Sequence, residues 1–185
     1  MTDATPRNVL ILGSFQWIAK QMNLASFLRI ADPIFADASI QVTIVGDAPT
    51  DFLAKWKLDL RATQFLGFVD DLDKAFELSR MGLVIDAVGG GFKFKILDYD
   101  FNRVPVAAVD TATMGAKNLR DSFVTAPGPA ALATKVLSTI DDLGRLNSMQ
   151  ERAFDVASAT FDWDRTAQRF TSLFEADAPS STVQA

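Results

Sequence analysis

Residues 82–100 read GLVIDAVGGGFKFKILDYD: an apolar run, three glycines, then a helix-forming segment opened by Lys93 and Lys95. The run from Gly82 to Ala87 has the length and the Val/Ile content of a buried strand, and Lys93 to Phe101 follows as a helix. A strand that passes through glycines into a helix puts the loop at the strand's carboxyl end, where open α/β sheets take their ligands. Glycine lets backbone approach a ligand closely, and a helix start would aim free N–H groups and a positive dipole end at the same point. The junction therefore reads as a phosphate cradle made of Gly89, Gly90, Gly91, Lys93 and Lys95. The plainer alternative is a tight connection with solvated lysines. Against it, each glycine costs about 0.5–1 kcal/mol of backbone entropy in a regular element, so three in a row ask for a reason. Asp98 lies one turn beyond Lys95 and can share its face, where a carboxylate would accept hydrogen bonds from ribose hydroxyls. Asp100 points elsewhere on the helix and reads as a surface charge.

Outward from this stretch, short Val- and Ile-rich runs alternate with longer segments of helical period, the pattern of a parallel sheet with helices on its faces. Six strands are expected, at Asn8–Leu12, Ile40–Val45, Ala62–Leu66, Gly82–Ala87, Val104–Val109 and Ser122–Thr125. Helices are expected at Met22–Phe35, Asp51–Leu58, Asp70–Arg80 with Leu72, Ala75, Phe76 and Leu78 inward, Lys93–Phe101, Pro129–Leu143, Leu146–Ala157 and Trp163–Phe174, the last capped by Asp162. The fold class is α/β, a Rossmann-like six-stranded parallel sheet covered on both faces, followed by C-terminal packing helices. One domain is expected over residues 1–175, with a disordered tail over 176–185 (DAPSSTVQA after Ala176).

Composition narrows the chemistry. A chain of 185 residues with 49% hydrophobic content can bury a full core. Its net charge of −5 argues against a nucleic-acid footprint, so any anion site must be local. There is no cysteine and no histidine, which removes disulfides, thiolate catalysis, a Ser-His-Asp triad and His-based metal sites; no metal is expected. No apolar run reaches the roughly 20 residues that span a bilayer, and MTDATPRN lacks the profile of a secretory signal, so the expected location is the cytoplasm.

The other strand-end loops are less decisive alone. The first, Gly13 to Lys20 (GSFQWIAK), holds one glycine and not the G-x-G-x-x-G of dinucleotide-binding domains; Ser14 and Lys20 stand where a sugar-phosphate site would be lined. No G-x-x-x-x-G-K-[ST] occurs. Gly46-Asp47-Ala48-Pro49 reads as a turn. In Gly67-Phe68-Val69-Asp70-Asp71 the backbone can meet a flat base edge, while the two aspartates suit capping of the next helix.

Taken in order, the loops carry a likeness. Gly13-Ser14-Phe15-Gln16-Trp17, Val42-Thr43-Ile44-Val45-Gly46, Gly67 to Asp71, Gly89 to Asp98 and Arg103 to Ala107 together resemble the C-terminal, donor-binding domain of GT-B glycosyltransferases that use nucleotide-sugars with retention of configuration (glycosyl transferases group 1). The run Lys95 to Phe101 is also similar to the corresponding helix of bacterial exopolysaccharide glucuronosyltransferases. The resemblance implies that Lys95 and the amides of Gly90 and Gly91 hold a diphosphate with help from Lys93, that Phe68 and Val69 face the base, and that Gly13 and Ser14 line the site. The family's second glutamate falls on Asp98 and its first on Gly90, so the paired-carboxylate motif is degenerate here. It further implies a UDP- or GDP-linked sugar as donor substrate with no other cofactor, hexosyl or glucuronosyl transfer to a glycan, lipid-linked or other acceptor, and an acceptor-binding domain or subunit supplied elsewhere. Any membrane contact would be peripheral and through that missing half. No catalytic residue is assigned. A non-catalytic nucleotide-binding or scaffold module of the same fold is the competing expectation, and a dehydrogenase or epimerase domain is disfavoured by the missing glycine fingerprint.

Overall fold

The structure, a computed structural model, describes residues 1–56, 59–162, 167–168 and 170–172. Six strands, β1 (Asn8–Leu12), β2 (Gln41–Val45), β3 (Thr63–Gly67), β4 (Met81–Val84), β5 (Val106–Val109) and β6 (Val124–Ala126), form one parallel sheet in the order β3-β2-β1-β4-β5-β6. All five pairings are parallel. Strands covered on both faces should be apolar throughout rather than alternating, and β1, β4 and β5 are buried at every residue. The edge strand β3 alternates half-buried with exposed positions, as a strand covered on one face should.

Helices connect and cover the strands: α1 (Ile18–Asp37), α2 (Thr50–Ala54), α3 (Asp73–Glu77), α4 (Lys95–Phe101), α5 (Pro129–Thr139) and α6 (Leu143–Thr160). From β1 the chain builds outward through β2 to β3, then returns to build the other way from β4. Right-handed crossovers running in opposite directions put α1 and α4 on opposite faces. There α1 packs on α5, and α4 on α6. Leu24, Phe27, Leu28, Ala31 and Phe35 of α1 are fully buried at helical spacing. Asp32, buried beside them, accepts from the Arg61 and Ala62 amides and the Thr63 hydroxyl, tying the start of β3 to α1.

Several expected boundaries move. Helix α1 starts four residues before Met22, because the Lys20 and Gln21 amides already donate to the Trp17 carbonyl. Helix α3 is only five residues: Asp71 accepts from the Asp73 amide at its start, and Arg80 already donates its amide to Asn8 in the sheet. Leu78, expected inward, is 44% exposed as a consequence of that early end. The expected break near Leu143 falls at Ile140–Asp142, where Asp142 caps α6 by accepting from the Arg145 amide. The helix expected over Trp163–Phe174 lies largely outside the described residues, and so does the tail 176–185. Among the described residues no helix is long and apolar enough to cross a membrane.

The amino end of the sheet is closed by charge. Arg80 reaches the Thr5 and Ile140 carbonyls and Asp141, and Arg7 grips both oxygens of the same aspartate. From this end α6 runs to Phe161, whose ring meets Phe92 at the glycine loop with centroids 5.6 Å apart.

Candidate functional site

The sheet order reverses between β1 and β4, which opens a crevice at their carboxyl ends. Only Val9 with Met81 and Leu10 with Gly82 are paired across it before the strands diverge. The phenol of Tyr99, fully buried on α4, fills the divergence: its oxygen accepts from the Leu12 amide and donates to the Leu10 carbonyl, each at 3.0 Å. Gly82 makes room for the ring, since a Cβ there would lie 2.5 Å from it. A strand backbone that lost its ladder partner is thus satisfied by a helix side chain.

The crevice floor is laced by backbone. Gly13 donates to Val45, Phe15 to Asp47, and Gly46 to Gly67, so the loops after the first three strands form one surface. Gly46, at φ +129°, packs so closely on the Gly13 carbonyl that any Cβ would overlap it. The resulting cleft of about 380 Å³ brings together Gly13, Ser14, Phe68, Val69, Lys95 and Asp98, with Asp47 on its wall. A larger hollow of about 530 Å³ lies between α1 and α2 around Arg29, Trp56 and Arg61. The smaller cleft is the better site, because it alone of the two sits at the switch point and contains the glycine approach and a half-buried, paired lysine.

That cation is Lys95. Its ammonium lies 3.6 Å from where a Gly13 Cβ would stand and pairs with Asp86 at 2.8 Å. Asp86, the second residue past β4, is 1% exposed, and its other oxygen takes Lys20 from α1. Burial alone would push the Asp86 carboxyl up, but Lys95 and Lys20 together outweigh it and hold the group below the usual carboxylate range. Burial also pulls Lys95 below the ordinary lysine value, and Asp86 only partly restores it against the pressure of Lys20 and Lys93. Asp98 is pushed up by partial burial at the cleft wall.

Gly89, Gly90, Gly91 and Lys93 lie beside this cleft and do not line it. Gly89 and Gly91 have positive φ, and nothing stands within 4 Å of a Cβ on Gly90 or Gly91, so the loop is unpacked. Lys93 folds back and donates to the Gly90 carbonyl at 2.7 Å, bracing the loop from inside. Upstream, Asn23 of α1 clamps Val88 through two hydrogen bonds to its backbone. Helix α4 is only seven residues and Phe94 ahead of it is already helical, so positive potential here comes from Lys95 and Lys20 and little from a dipole. Asp100, expected on the surface, is 1% exposed, because the α4 face opposite the cleft packs under α6.

Sequence reasoning named Lys20 and passed over Asp86 and Asn23. Asp86 had a signal: a lone carboxylate ending an apolar strand must find a cation if it is buried. Asn23 had none, since an amide in an amphipathic helix does not announce a backbone partner 65 residues away.

Residues 6–142 match the family model described as glycosyl transferases group 1. The chain belongs to this family. Among solved structures it is similar to TarM of S. aureus (TM-score 0.77, 16% identity, 92% of this chain and 35% of that one). It is also similar to Anabaena HepE in complex with UDP and glucose (0.73, 18%, 94% and 49%) and to the pneumococcal O-GlcNAc transferase GtfA in complex with UDP and GlcNAc (0.67, 14%, 89% and 36%). A comparison with curated protein sequences finds no match. The shared feature is the fold, a Rossmann-like half of a GT-B glycosyltransferase, and the chain spans a third to a half of the length of these structures.

Proposed function

We propose that this glycosyltransferase-family chain is the donor half of a retaining enzyme and that the switch-point cleft takes a UDP- or GDP-linked sugar. The observation that carries the reading is the half-buried Lys95 ammonium held beside Gly13, a cation at a backbone that can be approached closely. In this reading the diphosphate meets Lys95 and Lys20 with the amides of Gly90 and Gly91 closing over it, Phe68 and Val69 face the base, and Asp98 accepts from the ribose. Charge developing on the departing diphosphate would be stabilised electrostatically by the lysines. The presence of UDP in the HepE and GtfA complexes is consistent with such a ligand.

Transfer needs an acceptor half, whether in a longer chain or a separate subunit. The crevice rim is suited to meet one: Trp17, Phe68, Phe94 and Met114 are each at least 70% exposed around the carboxyl ends of the strands, more apolar surface than a solvated loop cluster needs. A hexosyl or glucuronosyl donor fits the likeness of the Lys95–Phe101 helix. The second reading, a nucleotide-binding module without transfer, is favoured by Gly90, which puts no carboxylate where the family has its first glutamate.

Calorimetric titration with UDP and GDP tests the donor site. Binding by at least one is expected, with Lys95→Ala weakening it about tenfold or more, as loss of a charge-assisted contact implies. No heat from either nucleotide at millimolar concentration would refute it, and turnover with an added acceptor domain would exclude the module reading.

A further inference from the structure

The buried carboxylate that bridges Lys95 of the cleft and Lys20 of α1 has no role in the reading above. It is 1% exposed, each of its oxygens is committed to a different lysine, and those lysines arrive from opposite walls of the crevice: Lys20 from α1, which follows β1, and Lys95 from α4, which follows β4. Nothing in the fold requires an acid there. The position ends an apolar strand, and a hydrophobic residue would bury at lower cost than an ion. Without Asp86, two ammonium groups would face each other with Lys93 nearby, and the Lys95 side chain is only 11% exposed. Like charges under those conditions separate or shed a proton.

We propose that Asp86 is a positioning residue for anion binding, drawing Lys20 and Lys95 to one point of the crevice and holding Lys95 there as a cation. The arrangement leaves a net charge of +1 shared over the two lysines, modest in the free protein and available to a diphosphate without rearrangement of the helices. The inference deepens the donor-site reading and rests on it for the identity of the anion. The charged groups facing Lys95 are Asp86 just past β4, Lys20 on α1 across the crevice, Lys93 on the glycine loop, Asp98 on its own helix and Asp47 on the cleft wall. Only Asp86 is both in contact and buried. Burial and the two neighbouring lysines all act to strip the proton from Lys95, so removing the carboxylate should let it leave at a lower pH.

The test uses Asp86→Asn in the whole chain. First, lysine side-chain NMR without nucleotide follows the Lys95 ammonium, assigned by its loss in Lys95→Arg. Its titration midpoint is expected to fall by about one pH unit or more in Asp86→Asn. Second, UDP affinity is measured between about pH 7 and 9, above the second ionisation of the terminal phosphate. The variant should lose affinity with rising pH by up to about tenfold per unit past the Lys95 midpoint, while the original chain holds its affinity to higher pH. Asp86→Asn with Lys95→Arg should abolish that pH dependence, because a guanidinium keeps its proton. An unchanged Lys95 midpoint, a loss of UDP affinity equal at every pH, or a slope that survives the arginine would each overturn the proposal. If neither UDP nor GDP binds the original chain, the donor reading fails and the NMR titration alone decides the role of Asp86. If Asp86→Asn does not fold, Lys20→Met replaces it: the Lys95 midpoint should rise, and a fall or no change overturns the proposal.

Discussion

Asp100 makes the stability of this fold depend on pH in an unusual direction. Its carboxyl is 1% exposed beneath α6, and neither oxygen has a hydrogen-bond partner. Arg103, three residues on, lays its guanidinium over the Phe154 ring at 3.9 Å instead of meeting it. Burial pushes the group from 3.8 up to about 7. A folded-state value above the unfolded one means that the folded chain binds the proton more tightly. Stability is therefore full below about pH 4, falls as pH rises toward 7, and stays low above it. At about 1.36 kcal/mol per pH unit the whole effect is about 4 kcal/mol, of which between 2 and 3 kcal/mol, roughly, falls between pH 5 and 8. The chain has no histidine, so few other groups titrate in that window. Asp100→Asn keeps the shape and cannot ionise. Urea unfolding followed by tryptophan fluorescence at several pH values from 5 to 8 should show the variant gaining on the original chain by about 2–3 kcal/mol across the range. Parallel stability curves for the two proteins would refute the reasoning, because a carboxyl that titrates normally contributes no slope there.

Two further perturbations probe the crevice. Tyr99→Phe removes the hydroxyl that serves Leu12 and Leu10, leaving a buried amide unpaired; unfolding free energy should drop by about 1–3 kcal/mol, and the Leu12 amide should lose protection from hydrogen exchange. Gly46→Ala forces a Cβ onto the Gly13 carbonyl at a φ of +129°, so calorimetric melting should report a loss of about 2 kcal/mol or more, with disruption of the cleft floor.

The sheet was legible because its strands are buried on both sides and so appear as short continuous apolar runs separated by helical stretches. All six strands fall within two or three residues of expectation at each end. Helix lengths were less legible, because their ends are decided by tertiary bonds: Arg80 is claimed by Asn8 in the sheet, which stops α3 early, and Asp142 finds a free amide at Arg145, which starts α6. At the site, the residues on strand ends and on α4, namely Gly13, Ser14, Phe68, Val69, Lys95 and Asp98, converge on one cleft. Lys93 and Lys95 look alike in sequence, yet one braces its own loop and the other faces the crevice. Alternating residues at a helix start diverge in direction, and only packing decides which of them reaches the cleft. Asp86 was passed over and Asp100 was expected on the surface for a common reason: burial of a charge is set by what folds over it, here Lys20 of α1 in one case and α6 in the other.

Tyr99 has a consequence for how a ligand would be greeted. Lys95 rides one turn before it on α4, and the phenol pins that helix to the central strand β1 through two hydrogen bonds, so the principal cation is held by an element anchored in the core. Gly90 and Gly91 touch nothing on their outer side. An incoming anion would find its charge partner already immobilised, and the conformational entropy lost on binding would be confined to a few glycine peptides. Affinity in this cleft should accordingly respond more to changes that stiffen or loosen residues 89–91 than to changes in the length of the lysine arm's support.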